Sequence, residues 1–277
     1  MTAYNNLQQK GSHNSYQRKE DLHQQLAFNA SKPFQGGCRA LEIDFARHSD
    51  ATHGRNASYF QVTHKQGGTG TPLAAYLGYL LSFHLATPTH DPIFVTLCIK
   101  SSKGDKKVFP DEFDTYIREW FEPSLLLTPG QLTQGSATLG VSVLRRGWPA
   151  LDDIKGQFIF CLSGTESWKS LYARTAPKAR LCFADINITD TTTAVTPSEF
   201  DHRVVANINL FSNHAAVWSE LVPQLRGRNL LVRGYVLNSK SLWKKALEAS
   251  VNILATDEVS NHSWAKVGSS AFKVSNI

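Results

Sequence analysis

Two short segments of this chain carry residue types that can do phosphoryl chemistry: His13 and Asn14 in Gly-Ser-His-Asn-Ser-Tyr (11–16), and Glu42 and Asp44 in Leu-Glu-Ile-Asp-Phe (41–45). Carboxylates and a carboxamide are oxygen donors for a hard divalent cation. A histidine beside them can pass a proton to or from a phosphate ester. Glu42 and Asp44 stand two apart in a run that reads as a strand, so both side chains aim at one face. Paired acids on a buried face are costly unless a cation or a hydrogen-bond network compensates them; on a half-exposed strand they are ordinary surface. A third segment, Tyr-Phe-Gln-Val-Thr-His (59–64), is another short strand and ends in His64. One histidine at a strand end is more often structural, but two arriving with an acid pair point to acid–base work.

These groups need a scaffold that collects strand ends. His13, Glu42 with Asp44, and His64 follow three successive strand-like segments, and in a barrel of parallel strands the C-terminal ends are where catalytic groups gather. A length of 277 residues suits one such barrel, whose usual size is about 250 residues. The expectation is a single parallel (β/α)8 barrel of the TIM type, one α/β domain over 1–277. Apolar runs suited to buried parallel strands occur at 38–45, 60–63, 93–99, 158–162, 181–186, 230–236 and 253–255, with a weaker one before His13. Helical patterns lie between them at 73–84, at 109–121 with Pro110 in a first turn, and at 242–249 after Ser239 or Ser241 as cap. A further run at 204–211 takes the tally past eight, so one of the runs has to be a loop or an edge segment and the barrel has room for distortion. The stretch between Trp120 and Trp148 loses clear periodicity and reads as a long excursion, and 189–197 reads as a loop.

The order Gly-Ser-His-Asn-Ser-Tyr, Leu-Glu-Ile-Asp, Val-Thr-His resembles the phosphatidylinositol-specific phospholipase C superfamily in its metal-dependent branch. The segment 146–160, Arg-Gly-Trp-Pro-Ala-Leu-Asp-Asp-Ile-Lys-Gly-Gln-Phe-Ile-Phe, is similar to the linker and fifth strand of the bacterial and fungal calcium-dependent members. Leu-Val-Arg (231–233) and Asn-Ile-Leu-Ala-Thr-Asp (252–257) are similar to their last two strands. The resemblance implies a phosphodiesterase that cleaves a phosphoinositide-type phospholipid, the inositol 2-hydroxyl attacking phosphorus to give a cyclic phosphate. It implies His13 and His64 as the acid–base pair, and Asn14, Glu42 and Asp44 as ligands of Ca2+. Lys100 and Arg233 would meet the phosphate, and Asp257 would orient a histidine or bind headgroup hydroxyls. Tyr235 or Trp148 would stack on the sugar, although core packing is the commoner fate of such aromatics.

One departure stands out against that pattern. Where the relatives carry a glutamate ligand, in the strand matching 93–100, this chain has Cys98, and a thiol in apolar surroundings is a poor donor for a hard cation. Either the metal rests on Asn14, Glu42, Asp44 and water, or metal dependence has changed. The cation-independent branch uses an arginine near the acid pair, for which Arg39 and Arg47 are the candidates. Competing expectations on the same barrel are a glycerophosphodiester or sphingomyelin-type substrate, and a non-catalytic module that binds a lipid headgroup.

The net charge of +6 and a pI near 9.1 favour approach to anionic lipid or phosphate at low salt. Lys103, Lys106 and Lys107 read as a solvated loop on the active-site side. No apolar run nears the roughly 20 residues of a membrane span, so a phospholipid substrate would be met peripherally at a membrane surface. No Gly-x-Ser-x-Gly elbow, phosphate-binding glycine loop, paired metalloprotease histidines or nucleic-acid motif occurs. Cys38, Cys98, Cys161 and Cys182 all sit in apolar runs with no zinc spacing, which predicts four buried thiols. Those thiols and the plain N-terminal residues suggest a cytoplasmic protein, whereas the resemblance suggests secretion.

Overall fold

Along β2 (Ala40–Arg47) the side chains divide as a strand dictates. Leu41, Ile43 and Phe45 pack outward with Leu73, Leu77 and Leu80 of α2 (Leu73–Ala86) and Phe109 and Phe113 of α3 (Phe109–Arg118). Glu42 and Asp44 take the opposite face, toward the inside of a closed sheet. The computed structural model describes residues 1–48, 59–64, 70–100, 102–188, 197–209 and 216–275. Besides β2, its strands are β1 (Leu7–Ser12), β3 (Phe60–Val62), β4 (Ile93–Ile99), β5 (Phe158–Gly164), β6 (Phe183–Ile188), β7 (Val205–Asn209), β8 (Leu231–Tyr235), β9 (Ile253–Thr256) and β10 (Phe272–Val274). The remaining helices are α1 (Leu22–Leu26), α4 (Pro129–Thr133), α5 (Leu139–Arg146), α6 (Glu166–Arg174), α7 (Val222–Gly227) and α8 (Lys240–Glu248).

The sheet runs β1-β9-β8-β7-β6-β5-β4-β2 with every neighbour parallel, and β2 returns to β1 to close it. This is the eight-stranded α/β barrel. The closing seam between β1 and β2 holds one residue pair, Gly11 with Ala40. A Cβ on Gly11 would stand 3.2 Å from Ile253 Cγ2 and 3.3 Å from the Ala40 Cβ, so a glycine is what lets β1 settle between β9 and β2.

The run at 204–211 is a barrel strand, β7, with 210–211 outside the described residues. The run at 60–63 is the edge segment: β3 pairs antiparallel to β2, Phe45 with Val62 and Arg47 with Phe60. His64 therefore does not follow the C-terminal end of a barrel strand, as the order of segments suggested. It reaches the mouth because β3 doubles back along β2, with the Thr63 N–H bonded to the Asp44 carbonyl at 3.0 Å. The excursion from Trp120 to Trp148 contains α4 and α5; most of the loop at 189–197 lies outside the described residues. Ser239 is the cap of α8, accepting the Leu242 N–H. All four cysteines are buried and unbridged. No described helix is long and apolar enough to cross a membrane.

One gap in the wall is filled by charge. β5 and β6 pair only at Cys161 with Phe183 and Leu162 with Ala184. Beyond that point Lys169 of α6, wholly buried, reaches through to the carboxylate of Asp185 on β6. Glu166 lies 3.3 Å from the same ammonium, and Arg203 donates to the Asp185 carbonyl at 3.2 Å and to Glu166 at 2.7 Å.

Candidate active site

The mouth of the barrel is organised by two histidine–carboxylate pairs, His13 with Asp257 and His64 with Asp44 of β2, and by Glu42 of the same strand. His13 follows β1 directly, and Asn14 then turns the chain in the left-handed region at φ 46°, a conformation asparagine tolerates better than most residues. The turn delivers the Asn14 backbone N–H to Glu42 Oε2 at 3.1 Å, while Ser15 Oγ accepts the Glu42 N–H at 2.8 Å. His13 Nδ1 lies 3.0 Å from Asp257 Oδ1, just past β9. Because a carboxylate only accepts, Nδ1 carries the proton and the lone pair of Nε2 faces inward, 3.8 Å from Glu42 Oε2. Tyr235 flanks the imidazole with ring centroids 5.8 Å apart. It is followed by Val236 at φ 63°, a strain of about 1–3 kcal/mol for a β-branched residue.

Asp44 is fully buried and anchors the other side. Its Oδ2 accepts from Tyr16 at 2.9 Å, from His64 Nδ1 at 2.7 Å and from Lys100 Nζ at 3.0 Å. The His64 ring is more than half exposed and sits at the rim. Burial opposes the charge on Lys100, but Cys98 and Asp44 more than offset it and its pKa stands above the usual lysine value. Burial first, and then Asp44, push the phenol of Tyr16 up, so it stays a donor. Arg233, on β8, crosses the barrel to Glu42 Oε2 at 2.8 Å; its other nitrogen donates to Asn207 Oδ1 at 2.7 Å. Asn207 in turn donates to Ser163 and Asn187. Since β8 and β2 are not neighbours in the ring, the Arg233–Glu42 bond has to span the interior.

Each acid thus satisfies one oxygen through the protein. The bonds to Glu42 from Asn14 and Arg233 end on Oε2, and those to Asp44 end on Oδ2. Asp44 Oδ1 is buried with no hydrogen-bond partner, a costly state for a carboxylate oxygen unless a cation reaches it. One ligand atom each from Glu42, Asp44 and Cys98 lie within 4.8 Å of one another. The residues present therefore fit a divalent cation. Cys98 is buried, and burial with Asp44 beside it pushes its thiol pKa up.

The structure brings His13, Asn14, Glu42, Asp44, His64, Lys100, Arg233, Tyr235 and Asp257 to one mouth. Arg233 is 2% exposed and stacks over Tyr235 at 4.9 Å. Trp148 is elsewhere: it packs in the core against Tyr4 and Phe183, which rules out sugar stacking. Arg39 bonds Asp91 and Arg47 bonds Glu112, so neither stands in for a cation at the acid pair. Sequence reasoning did not single out Arg18, 2.8 Å from Asp257, Asn238, also bonded to Asp257, or Asn207. For Asn207 a signal existed, since it is a polar residue at an inward position of the apolar strand β7.

Burial works against the charge of Asp257, but the hydrogen bonds from His13 and Asn238 and the charge of Arg18 outweigh it and lower its pKa. A depressed carboxyl pKa contributes stability that is present above the unfolded value, about 3.9, and is lost as pH falls through the folded one. Urea unfolding of the parent and of Asp257→Asn should accordingly show a stability gap at neutral pH that closes on acidification below about pH 4. A gap independent of pH would mean that the carboxylate charge contributes nothing.

A family model described as "Phosphoinositide phospholipase C, Ca2+-dependent" matches residues 60–210. A calcium-dependent phosphoinositol-specific phospholipase C from Pseudomonas sp., solved in an apo form and with myo-inositol, superposes with a TM-score of 0.76 at 20% identity, over 99% of this chain and 95% of that one. A Ca2+-dependent phosphatidylinositol-specific phospholipase C from Streptomyces antibioticus superposes with a TM-score of 0.69 at 20% identity, over 93% of this chain and 95% of that one. No curated protein sequence matches.

Proposed function

Because the chain belongs to the Ca2+-dependent phosphoinositide phospholipase C family, enzymes that cleave phosphoric diesters, we propose that it cleaves the phosphodiester of an inositol phospholipid. The observation that carries this reading is the pair of histidine–carboxylate dyads, His13–Asp257 and His64–Asp44, in one barrel mouth with Glu42 beside His13. Two proton-transfer groups flanking a compensated acid pair are what an internal attack on a phosphodiester requires. The inositol 2-hydroxyl is held next to phosphorus by the substrate itself, so the protein supplies orientation and proton transfer rather than a covalent nucleophile.

In this mechanism His13 Nε2 takes the proton of the 2-hydroxyl, while Asp257, fixed by Arg18 and Asn238, stabilises the imidazolium that forms. The oxygen–phosphorus bond to diacylglycerol breaks, and His64 at the rim protonates the departing oxygen. Lys100 leans on the non-bridging oxygens as charge develops. Tyr235 gives the ring a flat wall. Arg233 keeps Glu42 in place from below. The family's cation is calcium; Glu42 and Asp44, with Asn14 at the edge, would hold a divalent ion, which when bound supplies positive charge to the phosphoryl group. A phospholipid substrate is met at a membrane surface, which the net positive charge favours.

Phosphorus NMR of the products from phosphatidylinositol vesicles tests the reading. The expected result is a cyclic inositol phosphate appearing before any acyclic one. Release of glycerol phosphate from a glycerophosphodiester, with inositol lipid untouched, would assign the barrel to a different substrate.

A further inference from the structure

Asp44 on β2 and Cys98 on β4 are register partners in adjacent parallel strands, so their side chains project together from the same face, and Glu42 lies one step below. The three offer ligand atoms within 4.8 Å of one another. All three are buried: Asp44 is 0%, Glu42 5% and Cys98 8% exposed. The hydrogen bonds of the two acids are confined to Glu42 Oε2 and Asp44 Oδ2. Asp44 Oδ1 is buried and has no hydrogen-bond partner. Gly164 packs against the sulfur so closely that a Cβ there would stand only 3.0 Å from Cys98 Sγ. Two carboxylates and a thiol thus meet in one buried cluster.

Calcium takes six to eight oxygens. A set of two carboxylates and one thiol includes a soft donor poorly matched to calcium. Zinc, cobalt and cadmium accept mixed oxygen and sulfur ligands, and three protein donors with an open position is the usual form of a reactive zinc-class site. We propose that Glu42, Asp44 and Cys98 form a mixed carboxylate–thiolate site that takes a zinc-class divalent cation in preference to calcium. Binding exchanges the S–H bond of Cys98 for a sulfur–metal bond, and the proton leaves to solvent. The proposal rests on the phosphodiesterase reading only for the location of the site.

Cobalt(II) titrated into the metal-free 277-residue chain tests it by absorbance. One equivalent should raise a thiolate-to-cobalt charge-transfer band in the near ultraviolet, and a 100-fold excess of calcium should leave that band in place. Loss of outer-shell partners alone weakens metal binding at least about 10-fold, so Cys98→Ser, which loses a direct ligand, should bind cobalt at least 10-fold more weakly and show no band. Cys161→Ser should keep it. Absence of a band in the parent, its persistence in Cys98→Ser, or its removal by stoichiometric calcium would each overturn the assignment. Turnover of phosphatidylinositol is scored separately. A band without turnover keeps the metal site and discards the reaction; turnover without a band does the reverse.

Discussion

Replacing His13 with alanine is expected to lower kcat on phosphatidylinositol about 100- to 10,000-fold, the usual contribution of one general acid or base. The fold should survive. His13 lies at the mouth rather than in the core, and its removal does not strand Asp257, which keeps Arg18 and Asn238 as partners. The far-ultraviolet circular dichroism should therefore match the parent. His64→Ala should lose activity to a similar degree, with even less effect on stability because the ring is more than half exposed. Near-parental turnover by either folded variant would remove that histidine from the mechanism.

The largest effect on stability is expected away from the mouth, at Lys169. Its ammonium is wholly buried where the β5–β6 ladder stops, and it compensates Asp185, which is 1% exposed. Burial tends to discharge Lys169, and Asp185 and then Glu166 more than offset it, so its pKa is raised. Lys169→Met leaves Asp185 buried without a counter-charge, and breaking a buried pair on one side costs about 3–5 kcal/mol. Removing both charges is a different experiment: Lys169→Met with Asp185→Leu should recover most of the loss, because apolar replacement of a whole buried pair is often neutral. Urea unfolding of the single and double variants measures both. Equal destabilisation of the two would mean that packing, not charge compensation, holds this part of the wall.

The barrel was legible in the sequence because buried parallel strands are written as short apolar runs, and 93–99 coincides with β4 to the residue. Direction was not legible. The run at 60–63 reads the same whether it joins the ring or doubles back beside it, since an apolar run does not encode its partner. β3 itself is only three residues long. The short helices carried local signals that periodicity overlooks: Asp21 with Gln24 and Thr128 with Gln131 are capping boxes at α1 and α4. At the mouth, the acids and histidines could be picked out by type and spacing. Arg18 and Asn238 could not, because arginine and asparagine usually sit on the surface and their roles arise only from contacts with segments distant in sequence.

The seam where β1 meets β9 has a temporal consequence. His13 and Asp257 are separated by 244 residues, and β1 finds its parallel partner in β9, register Gln9 with Ile253, and only one residue pair in β2. Contacts between such remote segments carry the entropy of closing nearly the whole chain and form slowly. During synthesis the acid pair and His64 emerge early, whereas His13 waits for the last barrel strand before it has a carboxylate to fix its tautomer. Every shorter nascent chain lacks that dyad, so the competence of the mouth reports that the barrel has closed.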